Sequence, residues 1–222
     1  MIDNSKVQMS ESIIVGIPMV LSGGFMDAYT YLFRGEVFAN AQTGNMLLFG
    51  IHLSKQEWIE VFRYGVPVAA FAAGVFLAQM IRLHTKKIKR MHWRQYAVLM
   101  EILIMVVVSF MGNQLDLAAN TMISFACGIQ VQAFRKIQGN NLATTMCIGN
   151  LRTGTDLLCT YLHERDVKIL CRSLLYYGVI LTFMAGAVLG YLGVCLWKEK
   201  AILVSAVLLT AGFLIMMREE ME

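Results

Sequence analysis

Asp27 is the residue whose type and position first ask for an explanation. It lies in GGFMDAYTYLF and carries the only charge between Glu11 and Arg34. A carboxylate in the middle of an apolar span costs about 2.5 to 3.5 kcal/mol on an insertion scale, so it marks a functional group, a paired charge or a wet cavity. As a functional group it would bind a cation or carry a coupled proton. As a structural group it would hydrogen-bond nearby backbone.

Two polar segments could complete a site with it: VFANAQTGNMLLFGIHL at 37–53 and LATTMCIGNLRTGTDLLCTYL at 142–162. Each begins with small and amide-bearing residues, passes through a Gly-Asn pair and then becomes apolar. Glycine permits local departures of the backbone, while Asn and Thr can cap a helix start or bond a ligand. The segments read as half-helices entered through a polar loop. The candidate substrate- or ion-binding residues are Asp27, Gln42, Thr43, Asn45, Gln132, Thr145 and Asn150, with Arg152 near the cytoplasmic mouth. Arg152 and Asp156 stand four apart on one helix face, so an ion pair at the interface is the plainer reading of that Arg. The Gly-Asn pairs also have a plainer reading, as points of close helix approach.

The elements that position these residues follow from composition. Of 222 residues 57% are hydrophobic and 15% charged, against roughly 25% charged in a soluble domain. A water-soluble enzyme is excluded on that balance. Six stretches suit membrane helices of about 20 residues: 12–33, 58–81, 95–111, 117–134, 173–197 and 201–217. A β-barrel's alternation is absent and lipid tolerates no unpaired backbone, so the spans must be helices. The fold class is an all-α polytopic membrane protein, with about six transmembrane helices plus two short re-entrant or broken ones, in one membrane domain over 1–222.

An internal repeat relates residues 11–112 to 113–218. A constant shift carries Gly23, Ala28, Gly44 and Asn45 onto Gly128, Ala133, Gly149 and Asn150, and Asp27 onto Gln132. Further on, Tyr64-Gly65-Val66 matches Tyr177-Gly178-Val179. If the polar segments are re-entrant, each half crosses three times and the halves are inverted. That arrangement keeps Lys6, the basic block at 82–94, Arg135, Lys136 and Arg218 inside. It leaves Arg34, Lys55, Arg63, Lys198 and Lys200 outside, a better positive-inside balance than eight spans give. Both termini are then expected in the cytoplasm.

Other signals are background. Small residues at Ala70, Gly74 and Ala78, and at Gly178, Thr182, Gly186 and Gly190, read as close helix packing, between repeats or in a homo-oligomer. Glu101 could face a cavity, but it lies near enough to the basic loop to pair there. The five cysteines read as free thiols, the methionines as packing filler, and the histidines form no metal constellation. No H-E-x-x-H, G-x-S-x-G or P-loop is present, so no catalytic residue, metal or cofactor is expected. Expected partners are the lipid bilayer and an unidentified small solute; nucleic acid is not among them, because positive-inside retention accounts for the basic block.

GGFMDAYTYLFRGEVFANAQTGNMLLFG at 23–50 and GIQVQAFRKIQGNNLATTMCIGNLRTGTDLL at 128–158 resemble the YoaK-like bacterial integral membrane proteins, a family of unknown function. The similarity covers nearly the whole chain. It implies a bacterial cytoplasmic-membrane protein with about six spans, and it brings no substrate or catalytic residue. The residues themselves suggest a small-solute secondary transporter or channel-like permease, with a non-transporting scaffold or regulatory subunit as the alternative.

Overall fold

The computed structural model describes residues 12–84, 93–137, 139–142, 144–145 and 147–219. Most of the basic block, 85–92, lies outside the described residues, as do Lys6, Ala143 and Met146. The protein is all-α, with a two-residue β-ladder, Lys136–Ile137 against Asn140–Asn141, in one connection. Its helices are α1 (Ile13–Phe33), α2 (Gln42–Ser54), α3 (Trp58–His84), α4 (Trp93–Val108), α5 (Asp116–Ala133), α6 (Cys147–Glu164), α7 (Val167–Trp197) and α8 (Ile202–Glu219). Among the described residues three stretches are long and apolar enough to cross a membrane: Ile13–Phe33, Trp58–His84 and Val167–Arg218.

Local chemistry sets several of the ends. The Ser12 side chain accepts the Val15 amide at 3.3 Å, and Asp166 accepts that of Lys168 at 2.8 Å, satisfying donors that a helix start leaves open. Gln56 and Arg165 each take a left-handed φ of 59° in the tight turns from α2 to α3 and from α6 to α7. Those turns fold each short helix back on the long one after it.

Side-chain contacts fix the directions. α1 and α5 run antiparallel: Gln130 Nε2 donates to Met19 O (2.9 Å), Cys127 Sγ lies 3.9 Å from Met26 Sδ, and Asn120 Nδ2 donates to Arg34 O (2.6 Å). α7 runs parallel to α1, with Gly186 on Leu21, Gly190 on Phe25, and Tyr29 Oη donating to Glu199 O. α3 runs parallel to α5, with Gly74 on Phe125 and Gln79 beside Gln132. A Cβ on Gly24 would strike the Phe183 carbonyl, on Gly186 that of Leu21, on Gly74 that of Phe125, and on Gly128 that of Phe71. These four glycines let backbones touch where apolar lipid offers no hydrophobic drive to associate. Gly178 touches nothing within 4 Å of its Cβ position and Thr182 is only half-buried, so the close backbone contacts of that series are at Gly186 and Gly190.

The connections then place the short helices. After Arg34 the chain turns through Gly35 and Glu36, at φ 81° and 61°, and doubles back along α1. Asn40 Nδ2 donates to Gly23 O at 3.0 Å, so α2 begins beside the middle of α1. It returns toward the end it came from, because it pairs antiparallel with α3 through Phe49 on Gly65 and His52 stacked on Tyr64. The second connection enters from the other end: Ile137 packs on Gly16, and Thr145 then reaches Gly23. α6 runs back out, with Gly154 against Ser173 and Tyr176 of α7.

Candidate functional site

The two connections meet at Gly23. The Asn40 amide bonds its carbonyl, while Thr145 Cγ2 lies 2.9 Å and Thr144 O 3.4 Å from where a Cβ would stand. Asp27 is one turn further along the same helix, 8% exposed, and its Oδ1 accepts the Asn40 amide at 2.7 Å. The Ala39 and Ala41 amides also bear on that carboxylate. Its structural role is therefore defined: a negative group ties down the loop that leads into α2, where backbone donors have no helical partner.

Gln42 and Asn45 serve the same loop. Gln42 Nε2 donates to Ala39 O (2.7 Å) and Ser124 Oγ (3.3 Å), which fastens the α2 start to α5. Asn45 Nδ2 donates to Phe38 O (2.6 Å) and Gln42 Oε1 (2.9 Å), and its Oδ1 accepts the Phe38 amide (3.1 Å). Thr145 and Asn150 are buried at the opposite entry. Thr43 is exposed. Gln132 bonds Gln79 of α3 at 2.5 Å, closing the α3–α5 contact instead of joining Asp27. Arg152 is also exposed; it shares a shallow open groove on α6 with Ile148, Thr155, Asp156 and Cys159. Among the described residues Arg152 and Asp156 form no ion pair with each other.

Four buried oxygens at or near this meeting point have no hydrogen-bond partner among the described residues: Asn40 Oδ1, Thr144 Oγ1, Thr145 Oγ1 and Gln130 Oε1. Such atoms are uncommon in folded proteins and each asks for a reason. No group of three or more His, Cys, Asp or Glu side chains is placed to hold a metal ion among the described residues.

Residues 15–215 match the profile of a family described as "Protein of unknown function (DUF1275)". The chain belongs to that family. The assignment agrees with the resemblance carried by the two Gly-Asn segments, both of which lie inside the matched range. No curated protein and no solved structure matches the chain. For this DUF1275 protein the site therefore rests on its own geometry.

Two residues have surroundings that the sequence reading does not assign. Arg34, counted among the outer basic residues, is completely buried. It donates to Tyr29 Oη (3.0 Å), Gly112 O (3.2 Å), Met111 O (2.6 Å) and Val108 O (3.5 Å), and pairs with Asp116 at 2.9 Å. The guanidinium fork meets the carbonyl-rich end of α4, a partner set that no spacing within α1 reveals. Glu101, which the sequence sets either toward a cavity or against the basic loop, is also fully buried, and among the described residues neither carboxyl oxygen has a hydrogen-bond partner; residues 85–92 of that loop lie outside the described residues. Its only sequence signal is a single acid inside the apolar run AVLMEILIMVVV.

Proposed function

We propose that this family member is a small-solute secondary transporter or channel-like permease of the bacterial cytoplasmic membrane, built from two inverted repeats. The observation that carries the reading is the meeting at Gly23. Two loop-entered helices come from opposite ends of the bundle to the middle of α1 and leave buried, unpartnered Asn40, Thr144 and Thr145 oxygens there. Broken helices meeting at the midplane are a recurrent way to present helix ends and free polar groups to a solute. The solute site is assigned to Thr144, Thr145, Asn40 and Asn150, with Asp27, Gln42 and Asn45 holding its first wall.

Packing supports the inverted repeat. The shift that carries Gly24 onto Gly128 also carries Leu21 onto Phe125, and the one that carries Gly74 onto Gly186 carries Phe71 onto Phe183; one pair of close contacts thereby becomes the other. The equivalent helices α1 and α5 are antiparallel, as a two-fold axis lying across them requires. This register is one residue shorter than the sequence match and sets Asp27 opposite Val131 instead of Gln132. On this reading each half crosses three times, α2 and α6 are re-entrant, and the positive-inside balance puts both termini in the cytoplasm. Alternating access would rock one half on the other at the glycine contacts.

The test is thermal unfolding of the detergent-purified chain against ions, amino acids, nucleobases, sugars and organic acids. The expected result is a selective upward shift, because a ligand that binds only the folded state stabilises it by mass action, and loss of that shift in Thr145→Val. No shift across the panel favours the scaffold or regulatory-subunit reading. That alternative has its own support in the complete use of Asp27, Gln42 and Asn45 by the α2 loop.

A further inference from the structure

The bundle holds a second buried carboxyl that the solute site does not use. Glu101 lies midway along α4, with no exposure, and neither oxygen meets a donor. Its helix contributes Ala97, Val98, Met105 and Val108 to an apolar core that also holds Ile123, Ala126 and Cys127 of α5 and Ile202, Ala206 and Leu209 of α8. Asp27 shows how the same bundle treats a structural carboxylate, with a direct amide bond and a loop shaped to receive it. Glu101 has nothing of the kind.

An ionised carboxylate with neither donors nor a counter-charge is the costliest group that an apolar interior can hold, and a neutral acid costs far less. Among the described residues Glu101 forms no ion pair, and the other ionisable groups of its own helix, Arg94 and Tyr96, stand toward the start of α4. Cys127 of α5 is within electrostatic reach of both Glu101 and Asp27 of α1. The facing helix α8 has no ionisable residue before Arg218, at its far end. On α5, Asp116 is engaged by Arg34. On α3 the described ionisable groups, Glu60, Arg63, Tyr64, Arg82 and His84, cluster in the first and last turns.

We infer that Glu101 is a proton-binding site: it holds a proton in the closed bundle and exchanges it with solvent when α4 and α5 separate. As the coupling group of a transporter it rests on the permease reading, but the proton site itself does not depend on any solute. Asp27, fixed to the α2 loop, is then the wall, and Glu101 the group free to change its charge.

The experiment is infrared spectroscopy of the full chain in lipid vesicles, following the carbonyl stretch of protonated carboxylic acids. Wild type is compared with Glu101→Gln, a neutral isostere that keeps the packing, and with Asp27→Asn. A band present at neutral pH, lost in Glu101→Gln, retained in Asp27→Asn, and bleached reversibly at alkaline pH while the helical signal persists is the expected result. Absence of the band from wild type, or its survival in Glu101→Gln, overturns the inference. A band that disappears only when the helices unfold also overturns it, because the proton then never exchanges in the folded chain. Solute binding enters none of these readings, so a failed solute panel and a failed proton site remain separate results.

Discussion

The two connections that lead to Gly23 are built on different principles. The first, between α1 and α2, is held by side chains spent on backbone. Arg34 binds the end of α4, Asp27 takes the Asn40 amide, and Asn45 closes on both backbone groups of Phe38. The second, between α5 and α6, is held by its own short ladder, by Ile137 and Leu142 in apolar contact, and by Arg172 Nε donating to Asn140 Oδ1 at 3.1 Å. Its hydroxyls at the meeting point, Thr144 Oγ1 and Thr145 Oγ1, have no hydrogen-bond partner among the described residues. A satisfied polar network rigidifies its surroundings, whereas an unsatisfied one is free to take a new partner. On the proposed reading the first connection is mainly a wall, with Asn40 Oδ1 as its open group, and the second is the face offered to a ligand.

The largest effect expected from breaking this contrast is at Arg34. Arg34→Met strands the Met111 and Gly112 carbonyls and leaves Asp116 without its cation, a loss of about 4 kcal/mol. Chemical unfolding in detergent would measure it. A loss under about 1 kcal/mol would mean that the wall is not held from this corner. Asp27→Ala comes next, at about 3 kcal/mol, since it leaves buried loop amides without an acceptor. Asp27→Asn keeps an oxygen that can accept and should lose about half as much. Equal and small losses from both substitutions would remove Asp27 from the wall and return it to the solute site.

How much of this was legible in the sequence depends on whether a signal is local. The helices follow from apolar runs of spanning length, and the loop-entered starts of α2 and α6 follow from Gly-Asn pairs after small polar residues. Gly74, Gly186 and Gly190 show their packing role through four-residue spacing. Arg34 and Glu101 do not, because burial of a charge is decided by which distant carbonyls or apolar side chains arrive around it. The repeat match sets Gln132 opposite Asp27, whereas the register proposed from the glycine contacts is one residue shorter, a difference that turns a helical side chain by about 100°; Gln132 itself bonds Gln79.

Asn45 tests the wall more gently. Asn45→Ala removes three bonds to Phe38 and Gln42, yet α2 keeps the Gln42 and Asp27 ties, so a loss of about 2 kcal/mol is expected. Thermal unfolding beside Asp27→Asn would rank the two. A neutral Asn45→Ala would show that the loop is fixed by Asp27 alone, narrowing the wall to a single residue.

The smallest expected change is the most informative about the second face. Thr145→Val replaces the unpartnered hydroxyl with a methyl group of nearly the same volume and keeps a Cγ2 against Gly23. No hydrogen bond is lost, so stability should stay within about 0.5 kcal/mol of wild type. A substitution this quiet for folding isolates binding: any solute response that disappears with it must have used that hydroxyl. If Thr145→Val instead costs as much as Asn45→Ala, the hydroxyl already has a structural partner. The two connections would then both be walls, and the scaffold reading would gain the support that the free hydroxyls now give to transport.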